Sequence, residues 1–170
     1  MPKIIQNNLS IKNKIAEFNV IVRGAIAVIG GDNSTGKTLY FKEKQLYCQR
    51  HNDSAYFFIN YSNMQDFLRI FDENVSNKII FVDNADIIVP ENIDIYRKIS
   101  NSPNQFIFFG RDITKYNKNY DNWSELQEIS KGKYRLTYVL KKAGVYGSNS
   151  FINEKKQPIQ QKNQRRILSW

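Results

Sequence analysis

The sequence predicts an α/β fold: a mostly parallel sheet flanked by helices in three layers, with antiparallel strands near the N-terminus and around residues 134–140. Three observations lead there. Four short runs, residues 25–29, 55–60, 78–82 and 105–109, are apolar almost throughout instead of alternating with polar residues, the mark of strands buried on both faces. Segments with helical spacing or helix-start signals lie between them, and strands alternating with helices imply a parallel sheet. The chain has 170 residues, 41% of them apolar and 14% aromatic, enough for one domain with a sizeable core and too few for two ordinary ones.

Taken in order, two short extended stretches open the chain, near residues 4–11 and 18–22, and Arg23-Gly24 turns it into the first buried strand at 25–29. Helical periodicity follows over 36–50, and the second buried strand is 55–60. Ser62-Asn63-Met64-Gln65 has the spacing of a capping box, and Met64, Phe67, Leu68 and Phe71 recur after it as a helical core stripe. The third strand is 78–82. Pro90 suits the first turn of a further helix with Ile93, Tyr96 and Ile99 on one face. The fourth strand is 105–109. A short helix over 123–129 and a strand over 134–140 close the ordered part. Residues 1–147 are expected to form a single domain. Residues 148–170 read as a basic, flexible tail, because their Gln, Asn, Lys and Arg content resists ordering.

Composition excludes several classes of function. A single cysteine, Cys48, cannot form an internal disulfide, and one cysteine with one histidine, His51, cannot make a Cys/His zinc cluster. No apolar run approaches the ~20 residues of a membrane helix, and the first residues carry no secretory core. A reduced, cytoplasmic setting without membrane contact is therefore expected. The net charge of +9 is unevenly placed. Residues 1–130 balance 15 basic against 15 acidic side chains, whereas residues 131–170 hold ten basic ones against Glu154 alone. Such asymmetry fits a polyanionic partner, nucleic acid or an acidic protein, and it equally fits a solvated tail that aids solubility.

One motif dominates the chemistry. Gly31-Asp32-Asn33-Ser34-Thr35-Gly36-Lys37-Thr38 satisfies G-x-x-x-x-G-K-[ST], with a buried strand before it and a helix after it. The glycines let the backbone approach an anion closely, the loop amides converge on it, and the helix adds its positive dipole end. Lys37 would reach the β- and γ-phosphates and the Thr38 hydroxyl would ligate Mg²⁺. Leu39 completes the nucleotide-binding stretch.

On these residues the chain resembles the P-loop NTPase superfamily over roughly residues 25–112. The resemblance implies the three-layer fold of that superfamily, ATP and Mg²⁺ as ligands, and an acidic residue at the end of a second strand. Ile79-Ile80-Phe81-Val82-Asp83 fits that Walker B pattern, with Asp83 opposite Thr38 at the metal. The extra strand at 55–60 resembles the division that includes AAA+, RecA-like, ABC-type and STAND ATPases. Asn33 is similar to the loop Asn of ABC- and SMC-type members, but no LSGGQ-like signature is present and the span from Lys37 to Asp83 is too short for a helical arm. Relatives of this kind often act as dimers or rings, so a homo-oligomer is open.

The same resemblance raises a catalytic question. Most hydrolysing members carry Glu after the Walker B Asp, and here that position is Asn84, which cannot accept a proton. Asp86 is the nearest substitute carboxylate, or a strand-end cap; Glu91 is a weaker one. Arg111, after the strand at 105–109, matches the place of a γ-phosphate sensor, or is a surface Arg paired with Asp112. The N-K-x-D of a GTPase is not met by Asn117-Lys118-Asn119-Tyr120, so ATP is favoured over GTP. A Ser/His/Asp triad has no support, since His51 is unaccompanied. Three functions stand: a slow Mg-ATP hydrolase whose basic C-terminal segment engages nucleic acid or an acidic partner, a nucleotide-dependent switch with little hydrolysis, and a small-molecule kinase, the last weakened by the scarcity of arginines between Gly36 and Gly132.

Overall fold

The computed structural model describes residues 6–32, 35–111 and 122–138. Five strands form a parallel run in the order β6 (Tyr56–Ile59), β7 (Ile79–Val82), β8 (Gln105–Phe109), β5 (Ile26–Gly30) and β9 (Asn122–Ser130). Beyond β9 the sheet changes character. The strand β10 (Lys133–Tyr138) returns antiparallel to β9, then pairs parallel with β3 (Glu17–Asn19), which pairs antiparallel with β2 (Ile11–Lys12). A separate two-stranded antiparallel sheet joins β1 (Gln6–Asn8) to β4 (Ile21–Arg23).

The pleat divides the core in two. Along the central strands Ile26, Val28, Ile80, Val82, Phe106 and Phe108 face one way, while Ala27, Ile29, Phe81, Ile107 and Phe109 face the other. The first set packs under α2 (Asp66–Asp72), α3 (Ala85–Ile88) and α4 (Ile93–Asn101) through Phe67, Ile70, Ile88, Ile95 and Ile99. The second set meets Tyr40 and Phe41 of α1 (Lys37–Arg50), and beside them Leu9, Ile11, Phe18, Val20, Val22 and Leu126 from strands and their connections.

That second cover corrects the expected fold class. The molecule is not a helix-flanked, mostly parallel three-layer sandwich. It is an eight-stranded mixed sheet, curled as a half-barrel, with a two-stranded sheet and few helices. Only α1 covers the second face from the helical side, and strands supply the rest. The parallel run itself follows the continuous apolar segments, which bury β5 and β8 along their whole length.

Several elements differ from expectation. The segment expected as a helix over 123–129 is the nine-residue strand β9. Trp123, Leu126 and Ile129 do recur every three residues, but pairing with β5 on one side and β10 on the other satisfies the backbone in the extended form. The capping box sits at Asn60 and Asn63 on a short 3-10 turn, Tyr61–Asn63, because the Asn60 side chain accepts from Ser62 N–H; Gln65, which precedes α2, makes no side-chain cap. Met64 and Leu68 are exposed, and Phe67 with Ile70 carry the buried face of α2. The later helix begins after Asn92, whose side chain accepts from Asp94 N–H, so Pro90 lies outside it and Ile93 is exposed. The strand β6 ends the sheet, so Phe57 is partly exposed where full burial was expected. The C-terminal tail, residues 148–170, lies outside the described residues. No described helix is long and apolar enough to cross a membrane.

Candidate functional site

The carboxyl ends of β5, β7 and β8 lie side by side, because Ile29 is in register with Phe109 and Val82 with Phe108. Three segments that the sequence singled out leave from there: the loop after Gly30, Asp83 after Val82, and Gly110-Arg111 after Phe109. Parallel α/β strands place ligand sites at this end. A cavity of about 290 Å³ opens between them, walled by Thr35, Gly36, Lys37, Thr38, Leu39, Asp83, Asn84, Phe109, Gly110, Arg111 and Tyr134.

The loop is drawn around its own lysine. Lys37 Nζ donates to the carbonyls of Gly31 and Asp32, both at 2.6 Å, and to Thr35 Oγ1 at 3.1 Å. Gly36, directly before α1, has φ +95° in the left-handed region, and a Cβ there would come within 2.7 Å of Tyr134 Cε1, so both backbone and space demand glycine. Burial lowers the Lys37 pKa; the Glu125, Asp32 and Asp83 charges oppose that shift and Arg111 adds to it. Phosphate oxygens would take over the acceptor role that the two loop carbonyls play for the ammonium.

Thr38 and Asp83 meet across the cavity. Thr38 Oγ1 donates to Asp83 Oδ2 at 3.4 Å, and Asn84 N–H donates to Asp83 Oδ1 at 3.0 Å. Asp83 is only 7% exposed. Burial raises its pKa, against the Asn84 and Thr38 hydrogen bonds and the charges of Lys37 and Lys42. A hydroxyl and a buried carboxylate, side by side, are the hard oxygen donors that suit Mg²⁺ alongside phosphate and water. Among the described residues no group of three His, Cys, Asp or Glu forms a metal cage, so these two donors would share the ion with its ligand.

The remaining sequence candidates divide. Leu39 and Arg111 belong to the wall, and Asp32 contributes its carbonyl to Lys37. Asn33 and Ser34 lie outside the described residues, as does the Asp112 partner weighed for Arg111. Asp86 stands in the first turn of α3 and is not part of the wall. Asn84 is part of it, in the left-handed region at φ +49°.

Two wall-side residues escaped the sequence reading. Glu125 lies on β9 opposite Gly30, and its Oε1 would be 3.6 Å from a Cβ placed on Gly31. Tyr134 comes from β10. Both depend on the β9–β10 hairpin, and its signal was present: Lys131-Gly132 separates two runs, the second alternating Tyr134, Leu136, Tyr138.

A larger cavity, about 710 Å³, runs along β6 between α1 and α2. Its one arginine, Arg69, is tied to Asp66 and Glu73 at 3.0 and 2.8 Å. Its walls bring together no comparable set of phosphate- and metal-binding groups.

Compared with family models and with curated proteins, the chain matches none of them.

Proposed function

We propose that the chain is a Mg-ATP-binding P-loop protein, a slow ATPase whose basic C-terminal segment, residues 131–170, engages nucleic acid or an acidic partner. One observation carries the reading: Lys37 in its loop and the Thr38–Asp83 pair line a single cavity at the carboxyl ends of the parallel strands. Loop amides and Lys37 would bind the phosphate tail, and Arg111 would face charge developing at its far end. Thr38 and Asp83 would hold Mg²⁺, which when bound offsets phosphate charge. The free, buried Cys48 agrees with a reducing, cytoplasmic setting.

A second reading, a nucleotide-dependent switch with little hydrolysis, is favoured by Asn84. It occupies the wall beside Asp83, where a proton acceptor would be needed, and Asp86 does not replace it there.

Calorimetry with Mg-ATP and a phosphate-release assay, each with and without DNA or RNA, test both readings. Lys37→Ala is expected to weaken ATP binding by roughly 10- to 100-fold, since it removes a charge-assisted hydrogen bond of about 1.5–3 kcal/mol. Unchanged affinity would overturn the assignment. Tight binding without phosphate release would select the switch.

A further inference from the structure

Glu125 stands behind the phosphate loop and is not part of the cavity wall. It is half-buried on β9, in register with Gly30, from which the loop starts. Its Oε1 is 3.6 Å from the position that a Cβ on Gly31 would take, and the Gly31 carbonyl is one of the two that hold Lys37 Nζ at 2.6 Å. Carboxylate and ammonium are thus neighbours of the same loop residue. Of the charges that bear on Lys37, that of Glu125 is the strongest, ahead of Asp32 and Asp83, with Arg111 opposing them. Lys42 on α1 bears on Asp83 as well. These groups balance, three carboxylates against three cations. Asp83 is the candidate metal donor, and Asp32 gives its carbonyl to Lys37. Glu125 reaches the same place from a neighbouring strand.

A carboxylate so placed acts on an anionic ligand in proportion to that ligand's charge. Mg²⁺ cancels about half of the roughly four negative charges of a triphosphate at neutral pH, so the metal-free form meets about twice the repulsion of the complexed one. We propose that Glu125 is a specificity-determining residue that makes nucleotide binding conditional on Mg²⁺: its charge cancels the net attraction the loop would otherwise offer a metal-free triphosphate, so that the site selects the Mg-complexed form. This inference rests on the phosphate-loop reading given above and adds which form of the nucleotide the site admits. Partial burial on β9 keeps solvent ions from screening the carboxylate completely. Thr38 and Asp83 would receive the ion that the selected form brings.

Calorimetry on the full chain, with ATP in excess Mg²⁺ and with ATP in EDTA, reads the selection as a ratio of two affinities. Glu125→Gln removes the charge at nearly constant size, Glu125→Ala removes charge and bulk together, and Glu125→Asp keeps the charge. For one charge about 10 Å from the phosphates in a water-like dielectric, Glu125→Gln should bind Mg-ATP about 4-fold tighter and metal-free ATP about 16-fold tighter, so the preference for Mg-ATP falls about 4-fold. Added salt should shrink that difference. Glu125→Ala should lower the preference in the same sense, which keeps the test open if one neutral variant is unstable. Glu125→Asp should keep the wild-type preference within about twofold. A preference unchanged in both neutral variants, or binding of both ligand forms weakened by the same factor, would overturn the proposal while leaving the phosphate reading intact. So would a Glu125→Asp protein that loses the preference as fully as Glu125→Gln. A wild-type chain that binds neither form would remove both.

Discussion

Asp83 concentrates the conflict between stability and chemistry at this site. Its carboxylate is buried beside Thr38, so its pKa is raised in the folded protein, chiefly by burial. The sign follows directly. A carboxyl that holds its proton more tightly when folded favours the native state at low pH. That advantage is lost as pH rises from the ordinary carboxylate range through the raised value. At neutral pH the metal-free protein therefore carries a buried negative charge at a cost. Asp83→Asn keeps Oδ1 as the acceptor for Asn84 N–H and lets Nδ2 donate to Thr38 Oγ1 in place of the bond Thr38 now donates, while removing the charge. We expect it to stabilise the metal-free protein at pH 7, because burial disfavours the charged carboxylate. It should also abolish the stabilisation that Mg-ATP confers. Thermal melts at pH 5 and pH 7, with and without Mg-ATP, read all of this at once; a variant that melts earlier and still responds to Mg-ATP would refute the assignment of Asp83.

At the scale of elements, the joint between α1 and the N-terminal strands is the part to test, because together they cover the second face of the sheet. Tyr40 on α1 is fully buried, and its hydroxyl donates to Leu9 O at 2.8 Å, while its ring packs on Phe18, Phe81 and Phe109. Tyr40→Phe keeps the packing and leaves the Leu9 carbonyl without this donor. A loss of about 1–2 kcal/mol in denaturant unfolding is expected, the usual cost of orphaning a buried acceptor; no change would mean that the joint is held by packing alone. The same joint shows why part of the fold was legible and part was not. The elements β5, β7, β8 and α1 could be read because each is specified locally, by an unbroken apolar run or by the Gly36-Lys37-Thr38 start. The strand β9 is specified by its neighbours: Trp123, Leu126 and Ile129 carry a helical spacing that pairing with β5 and β10 overrides. That one reversal hid Glu125 beside Gly31 and the hairpin that carries Tyr134 to the wall, while Lys37, Thr38, Asp83 and Arg111, all at the ends of locally specified strands or on α1, were read from the sequence and meet in one cavity.

Across the whole molecule, the charge imbalance and the cavity belong to different parts of the chain. Every residue that walls the cavity lies at or before Tyr134, whereas the excess of basic residues lies in 131–170, and five of its ten basic side chains come after residue 154. A nucleotide site and a polyanion-binding segment can therefore be perturbed separately. Replacing Lys155, Lys156, Lys162, Arg165 and Arg166 together by Gln removes five positive charges from the full chain without touching the wall. If those side chains neutralise nucleic-acid phosphates, each phosphate left without its counter-charge should reduce the slope of log affinity against log salt by about 0.7 on single strands and about 0.9 on duplex. The variant should then show a slope smaller by about 3.5 on single strands and about 4.5 on duplex, weaker nucleic-acid binding at low salt, and Mg-ATP affinity unchanged from wild type. Any DNA- or RNA-stimulated phosphate release should fall with the slope. A variant that keeps the wild-type slope would assign the excess charge to solubility, and the partner would have to be sought on the described surface.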